Sequence, residues 1–221
     1  MMKKKFKLGF MVGRFQMLHK GHESLINEGI ELCERFVILL GNSEESRTRN
    51  NPFTFEERKE MIKTVFGDKV EVYPIISIGI GYVPAWGNYI MNTIKFYCGE
   101  YPDFVLRGSD DGRSEWLDKT KYNNITEYII SRNLIKVSAT QVREKLLEWY
   151  HWQCEKVMVK QSTIDFLAPG RMNQRSLLTI SGLSSQDKAN IQLVESYLKD
   201  NLSNKYTYEQ LEKYGNVLNS I

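Results

Sequence analysis

Two histidines and an arginine that could bind phosphate stand within one short stretch of the chain. Arg14, His19 and His22 belong to residues 13–22, which read Gly-Arg-Phe-Gln-Met-Leu-His-Lys-Gly-His. An apolar run at residues 8–12 precedes the stretch, and apolar residues at helical spacing, from Leu25 to Cys33, follow it. The three side chains therefore stand where a strand ends and a helix begins, and the unpaired N–H groups of such a helix start bind anions.

An alternative interpretation gives the two histidines no chemistry. His22 would simply begin the helix, and His19 would fill the loop before it. However, two of the three histidines in the chain fall in this one stretch. The His-x-Gly-His pattern directly after a strand therefore favours a phosphate-binding catalytic site.

A second group of polar side chains stands at the start of a later helix. Ser138, Thr140 and Arg143 follow the pattern Ser-x-Thr-x-x-Arg, so hydroxyls, free N–H groups and a guanidinium would converge there on a second anion. The alternative is a capping box between Ser138 and Gln141, beside an arginine that faces solvent. The place of this pattern, several strand–helix units after the histidines, favours the anion site.

A third pattern follows the second apolar run of the chain. Residues 51–58 read Asn-Pro-Phe-Thr-Phe-Glu-Glu-Arg. Thr54 and Glu57 have the spacing of a capping box, so one interpretation is simply a well-started helix. The loop before this segment carries Arg47 and Arg49, which are either solvated or able to hold a phosphate.

Together the first two patterns resemble the signatures of the nucleotidylyltransferase superfamily that is marked by an HxGH motif. The resemblance implies that His19 and His22 touch the phosphates of a nucleoside triphosphate during in-line attack on its α-phosphorus. It also implies that the Ser138–Arg143 pattern binds the β- and γ-phosphates. Met17 and Leu18 stand where the superfamily usually has Pro-Phe, so we expect the shape of the loop to differ but not its chemistry.

The third pattern narrows the expected substrate. Residues 51–58 resemble a segment of nicotinamide-mononucleotide adenylyltransferases, of the archaeal type and of bacterial relatives fused to Nudix domains. The resemblance implies transfer of AMP from ATP to nicotinamide mononucleotide, with Mg²⁺ screening the leaving phosphates. Other interpretations stay open: nicotinate mononucleotide or another phosphate acceptor, or a nucleotide-sensing module with little turnover. The 221 residues contain neither a Walker A pattern nor a Nudix box, so we expect neither domain here.

The resemblance assigns three sets of site residues and no protein ligands to a metal. The catalytic set is Arg14, His19 and His22. The ATP-binding set is Gly13, Phe15, Gly21, Arg107, Gly108, Ser138, Thr140 and Arg143. The acceptor-binding set is Arg47, Arg49, Asn51, Phe53, Arg58 and Trp86. Trp86 keeps two interpretations, stacking on the nicotinamide ring and packing in the core.

Apolar runs that alternate with helical patterns predict the elements that position these residues. We expect strands near residues 8–12, 36–41, 70–76, 104–106 and 125–130. This alternation predicts an α/β, Rossmann-like parallel sheet with helices on both faces. We place the nucleotidylyltransferase domain at residues 1–153 and a mostly helical extension at 154–221. The helix that begins at the Ser138–Arg143 pattern should end near Tyr150. The extension should contain another helix from about residue 154 to 167, a short strand at 176–180 and two amphipathic helices.

Composition limits the partners of the protein. A formal charge of +3 is too small to argue for nucleic acid, so small-molecule nucleotides are the expected partners. Three widely separated cysteines indicate buried thiols in a reducing compartment. No stretch is long enough to span a membrane, and Arg14 interrupts the first apolar run. We therefore expect a cytoplasmic protein, with homo-oligomerisation left open.

Overall fold

The computed structural model describes residues 4–108, 116–130, 137–166 and 185–221, without the side chains of residues 153–166, 185 and 188. The chain divides into two compact units. Met1–Ala139 with Ile221 forms the first, and Thr140–Ser220 forms the second. The domain boundary after residue 153 stays a prediction.

The first unit is built on a parallel sheet of five strands. The strands are β1 (Phe6–Gly13), β2 (Cys33–Leu40), β3 (Glu71–Pro74), β4 (Phe104–Gly108) and β5 (Thr126–Ile130). The helices are α1 (Lys20–Leu32), α2 (Phe55–Phe66) and α3 (Pro84–Cys98), with a 3₁₀ turn at Gly67–Lys69. The strand order is β3-β2-β1-β4-β5, and every pair is parallel. The predicted Rossmann-like α/β fold is thereby confirmed.

This strand order fixes where a ligand can bind. The chain runs from β1 outward through β2 to β3 and then returns to the other side of β1 to form β4. Connections therefore leave β1 and β4 in opposite directions, and a crevice opens at their carboxyl ends. Gly9 pairs with Phe104 and Phe10 with Val105. The same register brings Gly13 level with Gly108 at that edge.

The central strands are buried because their sequences are continuously apolar. Phe36, Val37 and Ile38 of β2 are each at most 2% exposed, as expected for a strand covered on both faces. Helix α1 approaches this strand closely at Gly29, where an added Cβ would lie 2.2 Å from the Phe36 ring. Cys33, which we expected on the helix face, instead opens β2, because it pairs with Phe6 of β1.

In the second unit, the described residues form three helices. They are α4 (Ala139–Phe166), α5 (Ser185–Asn201) and α6 (Tyr208–Asn219). We expected a helix to end near Tyr150 and another to follow from about residue 154, but α4 is continuous. Residues 150–154 contain neither glycine nor proline, so nothing in them interrupts the helix. The predicted strand at 176–180 lies outside the described residues.

Helices α4 and α6 pack through aromatic residues. Gly215 lies so close to Tyr150 that an added Cβ would be 2.6 Å from the Tyr150 Cβ. The Trp149 and Tyr208 rings meet edge to face at 5.2 Å. The two amphipathic helices predicted for this region are present as α5 and α6. None of the helices in the described part of the chain is long and apolar enough to cross a membrane.

Candidate active site

His22 lies in the first turn of α1, and the loop between β1 and α1 ends at His19, which caps the helix. Its backbone is extended, with φ of −138°, and its carbonyl oxygen accepts from the N–H of His22 at 2.8 Å and of Glu23 at 3.0 Å. Its ring Nδ1 also accepts from the His22 N–H at 3.4 Å. A neutral His19 that accepts at Nδ1 carries its proton on Nε2, so that nitrogen is a donor. Capping and phosphate binding are therefore compatible roles for this residue.

The two imidazole rings are held against each other. The ring centroids of His19 and His22 are 3.8 Å apart with an interplanar angle of 21°, and the Phe15 ring lies 4.6 Å from that of His22. His19 is 6% exposed, and His22 is half-buried. This stacking fixes the orientation of both rings at the amino terminus of α1. Gly21 is buried in the first turn of that helix, between the two histidines.

The backbone of this loop adopts unusual angles. Phe15 has φ of +48° and Met17 has φ of +132°. The proline ring fixes φ near −65°, so the backbone found at Met17 is closed to proline. The absence of proline at position 17, where the superfamily usually has Pro-Phe, therefore agrees with the backbone angle found at Met17. Both side chains are fully buried, and Arg14 at the start of the loop is exposed.

Three members of the predicted acceptor set lie inside the protein. Asn51 and Phe53 are buried, and the Arg58 side chain is fully buried. The Arg58 guanidinium donates to the carbonyl oxygens of Arg14 at 2.7 Å, Gly41 at 2.8 Å and Asn42 at 3.1 Å. These contacts tie residues 51–58 to the loops that follow β1 and β2. They also occupy the Arg58 guanidinium, which we expected to meet the acceptor.

The two arginines of the preceding loop differ in their surroundings. Arg49 is exposed. Arg47 forms a two-bond ion pair with Glu57, with both N–O distances 2.7 Å, and donates to the Pro52 carbonyl at 2.9 Å. Burial alone would raise the pKa of Glu57, but hydrogen bonds from Arg47 and from Thr54 outweigh it and lower that pKa. Arg47 thus holds its own loop against the start of α2.

Trp86 lies between an apolar core and an exposed aromatic residue. It is half-buried on α3 and packs against the core cluster. Its ring meets the buried Trp116 edge to face at 5.3 Å and the exposed Tyr82 at 5.1 Å. Both interpretations of Trp86 are compatible with this position. Tyr82 and Trp116 were not singled out from the sequence, although an aromatic residue four positions before Trp86 is a signal for contact near a helix start.

Arg107 stands at the predicted edge of the sheet and is paired. Its Nε lies 2.9 Å from Oε2 of Glu127 on the neighbouring strand β5, and the two side chains are 9% and 12% exposed. Gly108 ends β4. Local sequence patterns carry no sign of this pairing, because the two residues belong to different strands. The loop at residues 109–113 lies outside the described residues.

The Ser-x-Thr-x-x-Arg pattern coincides with the start of α4, as predicted. Ser138 directly precedes the first residue of the helix and is exposed, as is Thr140. Arg143 is half-buried and donates from Nη2 to the Thr140 hydroxyl at 3.3 Å. The pattern spans the boundary of the two units, with Ser138 in the first and the other two residues in the second. Its phosphate role stays a prediction.

Within residues 4–108, 116–130, 137–152 and most of 186–221, no group of three or more histidine, cysteine, aspartate or glutamate side chains is arranged to hold a metal ion.

Comparisons with known proteins agree with the fold and the motifs. The nicotinamide-nucleotide adenylyltransferase of Thermococcus kodakarensis is 25% identical over 186 residues, which cover 82% of this chain and 93% of that protein. The enzyme of the same name from Methanococcus maripaludis (strain DSM 14266) is 29% identical over 161 residues, covering 71% and 89%.

A solved structure shares the fold. The bifunctional NMN adenylyltransferase/ADP ribose pyrophosphatase of Francisella tularensis superposes with a TM-score of 0.55 and 21% identity, covering 65% of this chain and 42% of that one. This chain thus spans less than half the length of that protein.

The family model described as Cytidylyltransferase-like matches residues 10–153. That range begins inside β1, contains the HxGH loop and the later Ser-x-Thr-x-x-Arg pattern, and ends within α4. The nucleotidyltransferase character predicted from these motifs is thereby confirmed: the chain belongs to the Cytidylyltransferase-like family.

Proposed function

We propose that this protein is a nicotinamide-nucleotide adenylyltransferase, which forms NAD and pyrophosphate from ATP and nicotinamide mononucleotide. The observation that carries the proposal is the stacked pair His19 and His22 at the amino terminus of α1, beside the crevice between β1 and β4. The names of the curated relatives support the same reaction.

The proposed reaction needs little covalent help from the protein. A phosphate oxygen of nicotinamide mononucleotide attacks the α-phosphorus of ATP, and the bond to the bridging oxygen of pyrophosphate breaks. Negative charge builds on the α-phosphoryl oxygens and on the leaving group. Donors that are already in place stabilise this charge without reorganisation. His19, His22 and Arg14 are proposed to serve the α-phosphate, together with the positive end of the α1 dipole.

The leaving pyrophosphate requires a second set of donors and a cation. Ser138, Thr140 and Arg143 are proposed to bind the β- and γ-phosphates at the start of α4. We propose that Mg²⁺ enters with ATP as part of the substrate, because phosphate oxygens are the hard ligands that it prefers. The solved protein of Francisella tularensis was also determined with AMP and an Mn ion, which fits a divalent cation in this fold.

The acceptor is proposed to meet the exposed side chains near α3 and the loop after β2. Trp86 offers an indole face to the electron-poor nicotinamide ring, a favourable cation–π pairing. Arg49 is exposed and suits the acceptor phosphate. Arg47, whose guanidinium is paired with Glu57, would have to exchange that partner before it could take the same role.

A screen of acceptors tests the proposal. Purified protein is incubated with ATP, Mg²⁺ and one of nicotinamide mononucleotide, nicotinate mononucleotide or phosphopantetheine, and pyrophosphate release is measured. An arm with CTP and an alcohol phosphate covers other members of the superfamily. We expect the fastest release with nicotinamide mononucleotide, together with NAD as the product. Release only with phosphopantetheine or the alcohol phosphate would overturn the substrate assignment.

A further inference from the structure

We propose that residues 51–58 act as a brace for the HxGH loop, and that Gln16 and Arg58 are positioning residues for His19 and His22. The segment was assigned to the acceptor on its resemblance alone. Its contacts in the structure are instead with the HxGH loop, which comprises residues 14–19 between β1 and α1 and ends at His19. This inference rests on the proposed function, since it concerns the geometry of the same site.

The first contact joins Gln16 to the backbone of Phe53. The Gln16 Oε1 accepts from the Phe53 N–H at 3.0 Å, and its Nε2 donates to the Phe53 carbonyl at 3.3 Å. Both residues are almost fully buried. One amide side chain thus satisfies both backbone groups of a residue that lies 37 positions later in the chain. Breaking the pair would leave buried polar groups without partners, which is costly.

The second contact joins Arg58 to the same loop. Its guanidinium holds the Arg14 carbonyl at one end of the loop and the carbonyls of Gly41 and Asn42 after β2. Arg58 is fully buried, and burial lowers its pKa to about 10. A bound acceptor would have no surface of this side chain to touch. Arg58 therefore reaches the site only through the backbone that it holds.

The loop has a physical need for such support. Its residues Phe15 and Met17 both have positive φ, a conformation that non-glycine residues keep only where the surroundings impose it. Gln16 stands between them, and Arg14 precedes Phe15. One brace contact thus holds the backbone just before Phe15, and the other lies between Phe15 and Met17, the two residues with positive φ.

The brace itself is anchored to helix α2. Thr54 and Glu57 form a capping box at the start of the helix, and Glu57 also pairs with Arg47. Glu57 therefore fixes the helix start, while its neighbour Arg58 fixes the HxGH loop. The Glu-Arg end of the pattern has two structural tasks, neither of which requires contact with the acceptor.

The test replaces hydrogen-bonding side chains with apolar ones of similar length. Gln16→Met and Arg58→Met each remove one brace contact, and Arg58→Lys retains the charge without the fork that spans three carbonyls. Arg35→Met is the matched control: Arg35 forms a two-bond pair with Glu71 between β2 and β3, in the first half of its strand. Melting temperature, kcat and the KM values for ATP and nicotinamide mononucleotide are measured well below the melting point.

We expect the brace variants to lower kcat by about 10- to 100-fold, the scale for displacing a catalytic group by about 1 Å. Both KM values should change little, and Arg58→Lys should recover part of the loss. Arg35→Met should lower the melting temperature without this loss of kcat. Unchanged kcat in a folded Arg58→Met protein would overturn the proposal that Arg58 positions the histidines. A rise confined to the KM for nicotinamide mononucleotide would overturn the same proposal in favour of direct contact with the acceptor.

A second measurement does not depend on turnover. The chain has three histidines, so imidazole NMR signals of His19 and His22 can be assigned by substitution. We expect these signals to shift or broaden in Gln16→Met and Arg58→Met but not in Arg35→Met. Unchanged signals would overturn the brace even in an active enzyme. If the acceptor screen gives no NAD but the signals shift, the proposed function fails and the brace stands.

Discussion

Two regions of this protein carry a pattern for phosphate, and they are supported in different ways. In the loop between β1 and α1, His19 is buried, stacked on His22, and preceded by residues that are tied to the distant Phe53 and Arg58. At the start of α4, Ser138 and Thr140 are exposed, and Arg143 donates to a hydroxyl one turn away.

The difference concerns what each region needs from the rest of the fold. The start of α4 obtains its free N–H groups and its side-chain spacing from helix geometry alone. The HxGH loop needs tertiary contacts to keep its positive φ angles and its ring stacking. Substitutions at the start of α4 should therefore act locally. The activity that depends on the HxGH loop should also respond to substitution of residues that never touch a substrate.

The largest expected effect on activity comes from substitution in the stacked histidine pair, His19 and His22. His22→Ala should lower kcat by about 10²- to 10³-fold, the scale for losing one preorganised donor in the transition state. Binding of ATP, measured by titration calorimetry, should weaken less. His151→Ala is the control, because His151 belongs to the second unit and contacts Asn219. Near-normal turnover of His22→Ala would refute the phosphate role of the pair.

A smaller effect is expected at the start of α4. Arg143→Ala should reduce the stabilisation of bound ATP and of the transition state by about 1.5–3 kcal/mol in total, the scale of a hydrogen bond to a charged group. The loss should be divided between a weaker ATP affinity and a lower rate. Arg143→Lys should restore only part, because a point charge does not reproduce the guanidinium fork. The KM for ATP and kcat measure the effect. Unchanged ATP kinetics in a folded Arg143→Ala protein would instead support the capping interpretation.

Trp86 allows the acceptor side to be compared with both phosphate regions. If its ring stacks on the pyridinium, Trp86→Ala should raise the KM for nicotinamide mononucleotide by a factor that corresponds to about 1–2 kcal/mol of lost binding free energy. Trp86→Phe should raise this KM by less. The KM for ATP should hardly change. If Trp86 is chiefly a core residue, truncation should instead destabilise the fold by about 3–5 kcal/mol. A melting curve beside the two KM values decides between the interpretations.

The smallest expected effect concerns the ion pair that anchors the brace. The pKa of Glu57 is lowered in the folded state, so its stabilisation is present above the ordinary pKa of 4.5 and is lost as pH falls through the lower folded value. Arg47 is 45% exposed, so we expect about 1 kcal/mol or less. Glu57→Gln should lower the free energy of urea unfolding at pH 7 and flatten its decline below pH about 4.5. An equally steep decline in the variant would contradict this.

Local patterns were sufficient for the elements and for their ends. The apolar runs predicted all five strands, and the spacing of Thr54 and Glu57 predicted the capping box that begins α2. The HxGH pattern correctly marked the junction of β1 and α1. Such features follow from periods of two or 3.6 residues and from groups a few positions apart, so neighbouring residues determine them. The continuous α4 was missed because the change in composition near residue 154 contains no helix breaker.

Partners between distant segments were decided by the tertiary structure. Gln16 meets Phe53 and Arg58 meets Arg14 because parallel strands bring the loops at their carboxyl ends together, whereas Arg107 meets Glu127 because β4 pairs with β5. Nothing in the spacing of one segment specifies which backbone carbonyl in another it will hold. The sequence by itself therefore determined the family and the sheet, and it predicted a phosphate-binding role for the histidines. The buried position of Arg58 and the support of the HxGH loop depended on packing, which fixes the direction of each side chain only after the elements have assembled.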